Sequence, residues 1–320
     1  MYSGKKVLLI AGGGTLGTYV GEELLRLGAS VDVICPEPKE SHHERLVFHQ
    51  SLATEEVLSD LFAKNHYNGI VNFLHYKDVE DYKKVHPFLI KNTDHLIFLS
   101  SYRVYANEQH PLTESAPRLT EVLDDEEFMA NEKYAVPKAR CEDYLRKERA
   151  GEPWTIVRPV ISFSERRFDL LMNSGRQVIS IAEKGKEFLM PLNVKDMKAG
   201  LDWAGNSGKL IANLLFKPEA LGETFTISSG QNLTWGQVAG IYQRLIGLKV
   251  RWCGEDEYLT VRPTLNTEPS QRWAYRYDRR FDRDIDCTKV LKTTGLTTGD
   301  FASIEDGIRK ELERFRNEKA

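Results

Sequence analysis

Tyr134 and Lys138 are the two residues of this 320-residue chain best placed to do chemistry together. They stand four apart just before Ala139 to Lys147, a run of helical composition. That interval stacks two side chains on one helical face. Free tyrosine is a poor base at neutral pH, with a reference pKa of about 10. A lysine ammonium beside it favours the phenolate and makes the pair a proton acceptor. Pro137 lacks an N–H, so it is tolerated only in a first turn, where N–H groups have no intrahelical partner. The helix is therefore expected to start near Tyr134. Taken alone, the pair reads equally well as an ordinary surface pair.

A second constellation lies near the amino terminus. Val7 to Ile10 is a short apolar run, and Leu16, Tyr19, Val20, Leu24, Leu25 and Leu27 recur at helical spacing. Between them Gly12, Gly14 and Gly17 fit G-x-G-x-x-G. Strand, glycine turn and helix form a cradle for pyrophosphate, with N–H groups and a favourable dipole at the helix amino terminus.

These groups need a frame to bring them together. Residues 1 to about 105 alternate strand-like and helix-like segments. Strands are expected at Ser30 to Ile34, Arg45 to His49, Gly69 to Leu74 and His95 to Leu99, and helices at Thr54 to Lys64 and Val79 to Ile90. The pattern predicts an α/β fold, a doubly wound parallel sheet with helices on both faces. Ligands then sit beyond the carboxyl ends of the strands, so residues after Ile10, Ile34, Phe48, Leu74 and Leu99 converge.

Composition bounds the function. The net charge of -3 gives no basic field for nucleic acid or anionic membrane. No apolar run is long enough to span a membrane, and no signal peptide is expected. Cys35, Cys141, Cys253 and Cys287 are dispersed, as suits reduced thiols in a cytoplasm. The eight histidines show no metal-binding spacing, so no metal is expected.

Further motifs follow in order: Ser100-Ser101-Tyr102-Arg103-Val104-Tyr105, Tyr134-x-x-x-Lys138, Trp154-Thr155-Ile156-Val157-Arg158-Pro159, Asn193-Val194-Lys195-Asp196, and Leu221 to Gly230 before a helix from Leu233 to Leu245. With the glycine turn, this set resembles the extended short-chain dehydrogenase/reductases of the NAD-dependent nucleotide-sugar epimerase/dehydratase family, in a somewhat atypical branch. The likeness spans nearly the whole chain. It implies a Rossmann domain over 1–162, rejoined by about 192–230, and a smaller, discontinuous α/β substrate domain within 163–320. It makes Tyr134 the general base, Lys138 its cation and ribose ligand, and Ser101 rather than Ser100 the partner of the reacting oxygen.

The same resemblance places cofactor contacts at Gly12, Gly14, Thr15, Leu16, Gly17, Cys35, Glu37, Leu74, Tyr134, Lys138, Arg158 and Pro159. The cofactor is expected to be NAD, with NADP open, because Cys35 stands where an acid often marks the choice. Lys39 or Arg45 could meet a 2′-phosphate. Substrate contacts are expected from Ser101, Arg166, Arg276 and Arg279, the last two in a segment of interleaved arginines and aromatics. Such a segment suits a nucleotide diphosphate, a charge-balanced surface or, least, single-stranded RNA.

Three departures narrow the expectation. The 4,6-dehydratases carry Asp-Glu where Tyr102 and Arg103 stand, which argues against elimination of water. Ala11 replaces a common glycine, and Gln50-Ser51 replaces an adenine-binding aspartate. The expected activity is 4-epimerisation of a nucleotide sugar through a keto intermediate. The alternatives are a keto-sugar reductase using the same residues and a non-catalytic dinucleotide- or RNA-binding protein. The expected partner is a nucleotide sugar; the sequence leaves oligomeric state open, although the resemblance allows a homodimer, since related enzymes often pair through helices beside the catalytic one.

Overall fold

The apolar runs become seven parallel strands: β1 (Lys6–Ile10), β2 (Ser30–Cys35), β3 (Leu46–Gln50), β4 (Gly69–Asn72), β5 (Leu96–Leu99), β6 (Trp154–Pro159) and β7 (Glu223–Ile227). The structure is a computed structural model and describes residues 2–165 and 167–317. The strands lie in the order β7-β6-β5-β4-β1-β2-β3, every neighbouring pair parallel. The order reverses between β1 and β4, so the topological switch point lies at their carboxyl ends.

Alternation along the strands sorts the two faces. Val7, Leu9, Val31, Val33 and Val157 pack with Val20 and Leu24 of α1 (Thr15–Leu27). Leu8, Ile10, Ile34 and Ile70 face the other way, toward Leu58 and Leu61 of α2 (Glu55–Lys64) and Leu89 of α3 (Val79–Lys91). Farther along that face, Phe98 and Ile156 meet Tyr144 and Leu145 of α4 (Ala135–Glu148). Tyr134 is the residue before the first turn of α4, which places Pro137 within that turn. Strand β4 ends two residues before the expected Leu74, because Asn72 Oδ1 accepts a 3.1 Å bond from the Leu74 N–H and turns the chain.

Helix α5 (Ala204–Leu214) returns to pack on α1, followed by the edge strand β7. The largest apolar cluster lies in the remaining chain. There Phe163, Leu170, Val178 and Met190 meet Trp235 and Tyr242 of α6 (Trp235–Ile246) and Ile308 of α7 (Ile304–Asn317). Among the described residues, no helix is long and apolar enough to cross a membrane and no side-chain cluster could hold a metal ion.

Candidate active site

The glycine turn at the switch point has three differently constrained positions. A Cβ on Gly17 would fall 2.2 Å from the Gly12 carbonyl oxygen, so α1 sits against the turn as only glycine permits. A Cβ on Gly14 would meet nothing within 4 Å, which leaves open space above the turn. Gly14 precedes the first turn of α1 and supplies no side-chain cap, so the helix amino terminus faces that space with donors for an anion. Ala11 enters the turn at φ +56°, the left-handed conformation that glycine adopts more easily. The turn thus carries a strained residue at its entrance.

The turn opens into a cavity of about 440 Å³. Its floor is Ala11, Gly14, Thr15, Leu16 and Gly17, with Phe73 after β4. Leu99 to Arg103 after β5 and Pro159 to Ser162 after β6 form its walls. Tyr134, Arg167 and Arg279 complete the lining, and among the described residues no Asp or Glu belongs to it. The positions after β2 and β3 do not line this cavity.

Tyr134 stands between two rings of charge. The Arg103 guanidinium lies 4.8 Å from its ring centroid and Lys138 Nζ lies 5.8 Å away. His75 packs against the ring at 5.3 Å and is anchored through Nε2 to the Lys133 carbonyl at 2.7 Å. Burial pushes the Tyr134 hydroxyl upward, but Lys138, Arg103, hydrogen bonding with Ser101 and Arg167 outweigh it, and its pKa falls below the ordinary tyrosine value. Lys138 is 3% exposed and donates from Nζ to the Leu99 carbonyl. Burial lowers its pKa too, against the pull of Tyr134 and Glu142. Ser101 also accepts from the Arg103 N–H at 3.2 Å, while Ser100 donates away from the cavity to Glu142 at 2.6 Å. Ser101 and Tyr134 therefore meet in the cavity beside the glycine turn, with Lys138 buried next to the Tyr134 ring.

The other expected positions divide. Gly12, Cys35 and Glu37 gather around the turn, where a Cβ on Gly13 would come within 2.6 Å of Cys35 Cβ and 3.0 Å of Glu37 Oε2. Lys39 donates to the Gly13 carbonyl at 2.7 Å, so an acid and a base reach the same turn. Phe73, not Leu74, lines the cavity, because the Leu74 side chain packs toward α2 and α3. Pro159 lines it as expected from its position, whereas the alternation of β6 turns Arg158 the other way. Arg158 is fully buried and grips Glu142 at 2.6 and 2.8 Å.

Arg279 reaches the cavity and Arg276 does not. Residues Tyr275–Arg279 form a π turn, whose wider winding buries Tyr275, Tyr277, Asp278 and Arg279 and leaves Arg276 exposed. Arg279 bonds Asp169 at 3.0 Å and Tyr102 at 3.3 Å, and also pairs with Asp278. The aromatics of this segment pack inward, with Trp273 2% and Tyr277 9% exposed, so they offer no open stacking platform for bases. Arg166 lies outside the described residues. Its neighbour Arg167 lines the cavity and was not singled out from the sequence, nor were Arg103, His75 and Phe73. Arg103 did carry a signal, since its position was already marked as a departure.

No family model matches the chain, and no curated protein matches it. Solved structures do. A putative epimerase from Burkholderia cenocepacia J2315 superposes with a TM-score of 0.72 at 15% identity, covering 99% of this chain and 100% of that one. The chain shares the fold of that solved structure over nearly its whole length. Within that fold, the UDP-glucose 4-epimerase of Thermotoga maritima, solved with UDP-glucose, gives 0.65 at 15% identity over 98% of this chain and 100% of that one. WbmG of Bordetella bronchiseptica, solved in complex with NAD, gives 0.67 at 15% identity over 98% and 94%.

Proposed function

We propose that this chain is an NAD(P)-dependent nucleotide-sugar epimerase that inverts C4 through a keto intermediate. The observation that carries the reading is the meeting of Tyr134 and Ser101 in one cavity with the open glycine turn, with Lys138 buried beside Tyr134. A T. maritima UDP-glucose 4-epimerase and NAD-bound WbmG share the fold, which supports both the substrate class and the cofactor.

The residues present fit a dinucleotide. The space above Gly14 and the uncapped start of α1 would take the pyrophosphate, and Lys138 the nicotinamide ribose. When bound, the nicotinamide supplies a hydride acceptor and donor. Tyr134 removes the C4 hydroxyl proton as its phenolate, which Lys138 and Arg103 favour. Ser101 bonds the reacting oxygen and steadies the charge that develops there. The keto sugar turns over in the cavity so that C4 would present its other face to the hydride donor, and Tyr134 returns the proton to the C4 oxygen. A keto-sugar reductase would use the same residues but release its product with net consumption of reduced cofactor.

The test is turnover of nucleotide sugars followed by NMR, with cofactor absorbance recorded alongside. Epimerisation without net change in reduced cofactor is expected. Tyr134→Phe should slow it by roughly 10²–10⁴-fold, the usual worth of a positioned acid–base group. Undiminished turnover in Tyr134→Phe would remove the assignment.

A further inference from the structure

Arg103 has more donors than partners. A guanidinium carries five N–H donors. Among the described residues, that of Arg103 makes one hydrogen bond, a long one of 3.4 Å from Nη2 to Glu132 Oε1. Asp278 lies 3.7 Å from its Nε, and Nε itself is buried without a hydrogen-bond partner. Arg279, by contrast, is held by Asp169, Asp278 and Tyr102. The Arg103 group lines the cavity with its guanidinium carbon 4.8 Å from the Tyr134 ring centroid, and among the described residues its Nη1 makes no hydrogen bond and is left for an acceptor.

Position decides what that acceptor is. A pyranose presenting its C4 hydroxyl to Tyr134 carries its C5 substituent on the adjacent ring atom. Its C1 diphosphate hangs from the opposite ring atom. A guanidinium beside Tyr134 is therefore closer to the substituents of C3 and C5 than to the diphosphate, and of these the C5 substituent is the one that can be a carboxylate. A planar carboxylate there would take two parallel hydrogen bonds from the fork, which a hydroxymethyl group cannot. Arg167 adds to the positive lining, and among the described residues no carboxylate side chain lines the cavity to repel the anion.

We infer that the sugar is a uronic acid, whose carboxylate next to the reacting carbon is bound by Arg103. This rests on the hydride-transfer reading above.

The test uses the NAD-loaded protein and two pairs of probes that differ only at C6: UDP-glucose with UDP-glucuronate, and GDP-mannose with GDP-mannuronate. In one pair the uronate should exceed its neutral partner in kcat/KM by about 10- to 100-fold, the worth of a charge-assisted hydrogen-bond pair. In Arg103→Met that ratio should collapse toward one, mainly through a higher KM for the uronate. A neutral sugar preferred in both pairs, or a ratio unchanged in Arg103→Met, overturns the carboxylate assignment and leaves hydride transfer standing. Turnover of none of the four overturns the hydride-transfer reading and this inference with it.

Discussion

Removing the Glu142 carboxylate should cost this protein more than removing any surface charge. Glu142 is fully buried on α4, one turn beyond Lys138. It accepts from Arg158 at 2.6 and 2.8 Å and from Ser100 at 2.6 Å, with Arg118 Nη1 at 3.3 Å. It thereby ties the helix of Tyr134 and Lys138 to the ends of β5 and β6. In Glu142→Ala the Arg158 guanidinium, itself fully buried, keeps only the Glu114 carbonyl at 3.2 Å and the face of Tyr105 at 4.5 Å. An uncompensated buried charge of this kind costs about 3–5 kcal/mol. Urea denaturation at pH 7, with the slope checked for constancy, reads the loss directly.

The pH dependence supplies a second reading of the same pair. Burial pushes the Glu142 carboxyl up, yet Arg158, Arg146 and Ser100 bring it down from 4.5 to about 2. The folded state therefore holds that proton more weakly than the unfolded state. Its stabilisation is complete above about 4.5 and is lost as the pH falls through about 2. The gap between wild type and Glu142→Ala should narrow over that window. Glu142→Leu combined with Arg158→Met should recover much of the loss, because the unpaired Arg158 charge is then gone and Arg118 keeps Glu121 and Asp143. A gap under about 1 kcal/mol at pH 7, or one that does not change with pH, would refute the reasoning.

Two other expectations concern the site. The pH profile of kcat/KM should rise with the loss of a proton from Tyr134 below the ordinary tyrosine range; Lys138→Met should move that limb to higher pH, and an unmoved limb would separate Lys138 from the base. Gly17→Ala would force a Cβ to 2.2 Å from the Gly12 carbonyl, and NAD affinity by calorimetry should drop about 10- to 100-fold, as a strain of 1–3 kcal/mol implies; unchanged affinity would place the pyrophosphate elsewhere.

Much of the fold was legible because local pattern and tertiary role agree. The run Trp154–Pro159 is a strand by sequence and by structure, and Pro137 located the start of α4 within a residue. What the sequence concealed depends on where a side chain turns. Arg158 and Pro159 are adjacent, but alternation sends one into an ion pair and the other to the cavity. Arg279 faces the cavity in place of Arg276 because of a π turn that no residue spacing announces. Arg103 was visible as a type in the wrong place. Its stacking on Tyr134 arises from the short 3₁₀ turn Tyr102–Val104, capped by Ser101, which swings the side chain back over the site.

The interleaving of the two halves also sets an order on the making of the molecule. The face of α1 is closed by α5, where Gly208 comes so near that a Cβ would fall 2.6 Å from Tyr19 Cβ. Tyr2 near the amino terminus donates to the carbonyls of Ala212 at 2.9 Å and Leu215 at 3.0 Å. Strand β6 gains its second neighbour only with β7. During synthesis the parallel sheet thus waits, with one apolar face and one strand edge open, until more than 200 residues have left the ribosome. Contacts of such long sequence separation close slowly and leave sticky surface exposed meanwhile. The protein's need for a chaperone, or for slow translation, would be decided in that interval and not at Tyr134 and Lys138.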